Sequence, residues 1–466
     1  MTKKSGWGIC MVCLVSPLLL VSCSPRQPAT REDVLKWNLT TLQGSYASSG
    51  HKNPKWDKDA EEALTDFARS RAASDDELDV LLDVVGEAAE SATAAGCDDP
   101  MIAYLQARCG AGNKTKSFGE RQDRYRSVAS SLENSGYPAV RKFYANVAAA
   151  EILWEQRKTN LWPEVRDFRS KAIANLNQAL QDKTFPEAEA YVAADALFEM
   201  LQYNSYELTN AYNTISATVS GNRSKPAIAQ VIKAEFYLKY AWRGRGNGTA
   251  SQVTEEGWRL FRERLAEAEK ALNRAWALDP FDEQIPTLMI SIALGQQKTL
   301  PEMEIWFQRA MKQNPNNYRA CSRKLHYLLP QWYGSRDDML SFGRECVAST
   351  NWGGHVPLIL VDAHSEYARD LDADDRKAYW RSPEVWPDIK AAYEKFAQIN
   401  PEATRFRYPY AAYAFRCGQG PDFNKQIKLI RQNDPSPDYN YFGGKEAFDK
   451  MVEEANPPAG GTEPSR

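Results

Sequence analysis

The sequence predicts an all-α chain of stacked helical hairpins. Apolar residues recur at intervals of three and four, convincing alternating strands are absent, and one spacing of apolar and small residues returns thirty-five residues after its first occurrence. The 466 residues allow about three domains or one long solenoid. Charged residues at 26% and apolar types at 43% disfavour disorder, collagen and a polytopic membrane class. A net charge of -3 provides no basic field for a phosphate backbone, so nucleic acid is not an expected partner. The 13 Trp and 22 Tyr suit helix packing and ligand stacking alike.

At the amino terminus, Lys3 and Lys4 precede the apolar run ICMVCLVSPLLL, and Leu20-Val21-Ser22-Cys23 follows at once. Charge and apolar length describe a secretory signal over residues 1–22, too short to span a bilayer. Ser22 before Cys23 resembles the lipobox of bacterial lipoproteins, which implies lipidation of Cys23, cleavage before it and acylation of its new amino group. Several acyl chains on one residue anchor stably. Ser24 in place of Asp resembles outer-membrane lipoproteins, so the expected location is the cell envelope, facing the periplasm or the exterior. Residues 23–30 supply a polar, proline-bearing tether.

Residues 31–245 are expected to form an irregular helical region, with DDPMIAYLQAR (98–108) as one of its helices. The glycine-rich WRGRGNGTAS, residues 242–251, predicts a flexible loop and a hinge or subdomain boundary; it lacks dinucleotide and Walker spacing. Residues 246–454 form the recognisable helical region. There Trp258, Phe261, Leu265, Ala268, Leu272 and Ala275 define one helical face, Thr254 can cap its start and Pro280 stops it. Residues 455–466, ANPPAGGTEPSR, have almost nothing to bury and are expected to be disordered.

Ala268, Leu272, Ala275 and Pro280 are repeated in spacing by Met303, Phe307, Ala310 and Pro315. This resembles the second helix of a tetratricopeptide repeat, in which small residues let two helices approach and proline ends the hairpin. Ala172, Leu176 and Ala179 form a weaker copy without the proline. Ile389, Tyr393, Phe396 and Pro401 form another, with Phe at the small position. The order TEEGW, FRERL, ALDP, WFQRAM, PQWYGS and FGREC, over about residues 240–420, resembles tetratricopeptide-like lipoproteins and secreted proteins of planctomycete-type and related bacteria. That resemblance implies the fold and transfers no site.

Residues 321–364 concentrate the unusual chemistry. His326, Trp332, Tyr333, Trp352, His355 and His364 are the candidate ligand-binding residues, and a site at 326–364 is the place where an enzyme of unknown class would keep its chemistry. No H-E-x-x-H or C-x-x-C occurs, and His355 and His364 are too far apart in sequence to share a helical face as a four-residue pair does. No metal or cofactor is therefore implied. A thiol-protease reading of Cys321 or Cys346 with His326 or His355 lacks a nucleophile signature. Asp370, Asp372 and Asp374 imitate the start of a calcium loop, but Asp375 and Arg381 occupy its most demanding positions.

Beyond Cys23 there remain Cys97, Cys109, Cys321, Cys346 and Cys417, an odd number. Helices over about 318–329 and 336–348, folded back across PQWYGS, place Cys321 opposite Cys346, the candidate disulfide. Cys97 and Cys109, at the two ends of one helix, are too far apart to pair. The leading expectation is a lipid-anchored scaffold holding an envelope protein or peptide on a helical-repeat surface. A glycan-binding lipoprotein using exposed Trp and Tyr is the alternative, and an enzyme is the second alternative.

Overall fold

The computed structural model describes residues 31–73, 75–110, 117–155, 158–221, 226–246, 248–401, 403–433 and 439–456. Cys23, the signal and the tether lie outside these residues, as does the tail beyond Asn456. The fold is all-helical, and the described residues contain no strand. The first ten helices are α1 (Arg31–Ser48), α2 (Asp57–Ala72), α3 (Asp75–Ala94), α4 (Pro100–Cys109), α5 (Phe118–Glu133), α6 (Ala139–Trp154), α7 (Trp162–Gln181), α8 (Glu187–Leu201), α9 (Ser205–Gly221) and α10 (Pro226–Arg245). There follow α11 (Glu255–Leu278), α12 (Gln284–Gly295), α13 (Leu300–Gln313), α14 (Tyr318–Tyr327), α15 (Arg336–Ala348) and α16 (Ile359–Arg369). The last five are α17 (Ala373–Trp380), α18 (Val385–Ile399), α19 (Arg407–Arg416), α20 (Gly420–Asn433) and α21 (Lys445–Ala455).

Local chemistry sets these boundaries. Thr254 caps α11, its hydroxyl accepting from the Gly257 N–H at 3.0 Å. Asp99 caps α4 by accepting from the Met101 and Ile102 N–H groups. Three helices end before proline in the same way: Asp279, Asn314 and Asn400 leave helical geometry while their N–H groups still bond Ala275, Ala310 and Phe396. The proline ring that follows disfavours the helical state at each of these residues. In the first two junctions the Asp279 and Asn314 side chains accept from the N–H two residues on, closing a local turn.

Packing follows a simple order. Most helices pack on their neighbours in sequence, and from α6 to α18 each even-numbered helix also touches the next even-numbered one, giving one continuous row. Ala268, Leu272 and Ala275 are buried on the face that α11 presents, as are Met303, Phe307 and Ala310 on α13. Ala172, Leu176 and Ala179 on α7 and Ile389, Tyr393 and Phe396 on α18 are buried likewise. A large core runs from Leu42 to Ile292, a second from Ile290 to Cys417, and a third gathers α19 to α21. Helix α12 belongs to the first two, because Leu288 and Ile292 face one and Ile290 and Leu294 the other.

Residues of one core lie on both sides of the glycine-rich stretch, in α10 and α11. Arg245 Nη1 donates to the carbonyls of Gly246 and Gly248, while its guanidinium lies 5.4 to 5.8 Å from the rings of Trp258, Trp242 and Trp332. A Cβ at Gly244 would lie 2.6 Å from the tip of the Arg264 side chain, whose Nη1 donates to the Tyr240 carbonyl across the α10 and α11 contact.

The row of even-numbered helices also curves back on itself. Arg319 on α14 bonds Asp195 on α8 at 3.1 Å, although three helix-to-helix steps separate them. At about 8 to 10 Å per step a straight row would hold their axes well beyond the reach of one arginine, so the row bends tightly. A second tie joins Arg405, just before α19, to Asp83 on α3.

Candidate functional site

The six ring-bearing candidates divide among separate settings. His326 and Trp332 are in ring contact at 6.0 Å, and Trp332 stands edge-on to Trp242 at 5.8 Å. Burial lowers the His326 pKa, which favours its neutral form. Tyr333 packs on Tyr327, and its hydroxyl donates to the Leu294 carbonyl at 3.3 Å. Trp352 meets the Phe307 ring edge-on at 5.7 Å. His355 rests against Phe396 and Tyr318 with its Nδ1 buried and unpartnered, while the Tyr318 hydroxyl donates to Asp362 at 2.5 Å. Burial pushes the Asp362 carboxyl up to about 6, with the Tyr318 bond pulling the other way.

His364, the last of the candidate ligand-binding residues, sits within the second core's layer of rings. It is fully buried, with Nδ1 2.7 Å from the Tyr379 hydroxyl and Nε2 3.1 Å from Asp388, which also takes a bidentate bond from Arg344. Both ring nitrogens are hydrogen-bonded within the fold. Trp332 and Trp352 are partly buried against the second core.

The candidate disulfide pair is brought together. Cys321 and Cys346 are both fully buried as free thiols, and Cys346 hydrogen-bonds Cys321, whose own Sγ lies 3.6 Å from Met311 Sδ. Burial, reinforced by that bond, pushes the Cys346 thiol far up. Cys97 lies before α4 and Cys109 ends it, at opposite ends of the helix. Asp372 caps α17, accepting from Asp374 and Asp375, so the acidic loop has a helix-starting role.

A site that the sequence reading missed opens at one edge of the stack, where the ends of α6, α8 and α10 meet the starts of α7 and α9. A cleft of about 500 Å³ is lined by Trp154, Trp162, Tyr203 and Tyr206 together with Arg166, Arg169, Arg243 and Glu207. Trp162, Tyr203 and Tyr206 are 45%, 61% and 81% exposed, whereas Trp154 is half-buried beneath them. Arg169 is buried between the Trp154 ring, 4.9 Å away, and the Glu207 carboxylate, 2.7 Å away; its Nε has no partner. The Asn204 side chain caps α9, accepting from Tyr206 and Glu207. The contributing segments are separated by dozens of residues and form no local motif. The pair of tyrosines in YNSYE was the one local signal.

Among the described residues no helix is long and apolar enough to cross a membrane, and no group of His, Cys, Asp and Glu is placed to hold a metal ion. No protein-family model matches the chain and no curated protein is significantly similar to it, so its sites are defined by their own geometry.

Proposed function

We propose that this chain is a lipid-anchored protein of the cell envelope whose tetratricopeptide-like helical stack serves as a scaffold for a protein or peptide partner. The observation that carries the reading is the continuous row of even-numbered helices from α6 to α18, with matching Asx-Pro junctions at Asp279 and Asn314. Helical hairpins stacked in this manner create extended surfaces of fixed curvature, suited to holding a polypeptide segment. The packing of Trp332 and Trp352 against Trp242 and Phe307 favours this reading over glycan capture by those rings.

The anchor is read from the Ser22-Cys23 lipobox. In its native host the full chain is expected to fractionate with membranes and to incorporate labelled fatty acid, whereas Cys23→Ala is expected to appear in the soluble envelope fraction. Crosslinking in intact cells is expected to trap a defined protein adduct. A wild-type chain that takes up no fatty acid removes the anchor. A chain that yields no protein adduct but binds saccharides on a glycan array replaces the scaffold with the glycan reading.

A further inference from the structure

The cleft between Trp154, Trp162, Tyr203 and Tyr206 is chemically one-sided. Its one carboxylate and its one amide oxygen are already engaged: Glu207 takes the Arg169 guanidinium, and the Asn204 side-chain oxygen takes two backbone N–H groups. Its donors are not. Arg166 and Arg243 reach the cleft with exposed guanidiniums, and no carboxylate among the described residues pairs with them. The buried Arg169 Nε is also without a partner. Three arginines against one glutamate leave the lining positive.

A neutral sugar brings hydroxyls that can bond Arg166 and Arg243 but leave their charge uncompensated in this cleft. A ligand that brings only acceptors and an apolar body matches it better. The composition of the lining points the same way, because tryptophan, tyrosine, arginine and methionine, here Met200, are the residues that anchor protein interfaces. Arginine also recognises carboxylates in a fixed bidentate geometry.

We propose that this cleft is the docking site for a partner polypeptide segment that presents one large apolar side chain flanked by carboxylates. The apolar side chain enters between Trp154 and Met200, covered by the exposed faces of Trp162, Tyr203 and Tyr206, and the flanking carboxylates pair with Arg166 and Arg243. The assignment rests on the scaffold reading and gives that scaffold a specific point of attachment.

The test uses the full chain purified in detergent and an array of short peptides carrying a central Phe, Leu or Ala flanked by Glu, Gln or Lys. Peptides with Phe or Leu between glutamates are expected to bind best, and replacing those glutamates by glutamines is expected to weaken binding about tenfold or more. The double charge reversal Arg166→Glu with Arg243→Glu is expected to shift the preference to lysine-flanked peptides, a change that mere loss of fold cannot produce. Trp162→Ala is expected to weaken every apolar-centred peptide. Equal binding of the glutamate and glutamine series, no binding by any peptide, or an unchanged ranking in the charge-reversed chain overturns the assignment. So does a uronate oligosaccharide that binds more tightly than every peptide. If the protein adduct trapped in cells survives the charge reversal, the partner docks elsewhere and the scaffold reading stands without the cleft.

Discussion

Asp282 is an acid at a helix start where, thirty-five residues on, the chain has the amide Asn317. Both side chains accept a backbone N–H at the start of a helix, from Gln284 and Ala320 respectively. Burial pushes the Asp282 carboxyl up to about 7, against the pull of its own bond from Gln284, and the nearby acids Asp279, Glu283 and Glu187 push it further. The folded chain therefore holds a proton that the unfolded chain releases from about pH 4 upward. Stability at this site is greatest below that range, falls as pH rises toward 7, and carries its full penalty above it. Asp282→Asn keeps the acceptor and removes the charge. It is expected to stabilise the protein by about 1 to 2 kcal/mol at pH 8, after discounting for partial exposure, and to make little difference at pH 4. Thermal melts of both proteins across that range check the sign; a gain that is larger in acid contradicts the assignment.

The two central thiols make a second residue-scale case. Cys321 and Cys346 share the second core with Lys324, whose ammonium lies 4.2 and 4.4 Å from the Phe307 and Phe342 rings and pairs with Glu304 at 2.8 Å. Reagents attack the Cys346 thiol slowly, since only the thiolate reacts and the Cys346 pKa is far raised. Non-reducing peptide mapping of protein taken from an oxidising envelope is expected to find Cys321 joined to Cys346. Recovery of both as free thiols rejects the bond, and a Cys97 to Cys109 crosslink contradicts α4 as well.

Helices are held together here by small residues at their closest approaches. Ala275 and Ala310 are fully buried, and a Cβ added at Gly343 would come 2.7 Å from the Leu360 backbone, where α15 meets α16. Ala275→Leu or Ala310→Leu is expected to cost about 1 to 3 kcal/mol by overpacking. The exposed Ala277→Leu is expected to stay within about 0.5 kcal/mol. Denaturant midpoints distinguish them, and equal midpoints for all three remove Ala275 and Ala310 from the helix contact. These elements were legible in the sequence because their determinants are local. Thr254, the spacing from Phe261 to Ala275, and Asp279-Pro280 fix α11 without reference to the rest of the chain. The Trp332 and Trp352 environments were not legible, because helical spacing cannot tell a ring packed on a distant helix from a ring facing solvent. The cleft was hidden for a related reason: Trp154, Trp162, Tyr206 and Arg243 meet only after four helix ends have been stacked.

At the scale of the whole molecule, Arg245 ties the end of α10 to Trp258 and Trp332, rings that composition alone does not bring together. The curvature of the stack was equally invisible, since Arg319 and Asp195 are 124 residues apart and Arg405 and Asp83 are 322 apart. Each tie is partly exposed, so each is expected to contribute no more than about 1 kcal/mol and to weaken in salt. Their effect on shape is larger than on stability. The double variant Arg319→Ala with Arg405→Ala is expected to keep its helical content and show a larger radius of gyration by small-angle scattering. Identical scattering profiles would show that helix packing alone sets the bend.

Those two ties also bear on how the molecule responds to load. An untied helical stack stretches like a spring, each hairpin yielding a little, so tension applied at one end is spread along its length. A stack clipped to itself from α8 to α14 and from α3 to the start of α19 resists small forces almost rigidly, and then lengthens abruptly once a clip gives way. Pulled at its two ends, such a chain transmits weak tugs with little extension and takes up strong ones in discrete steps.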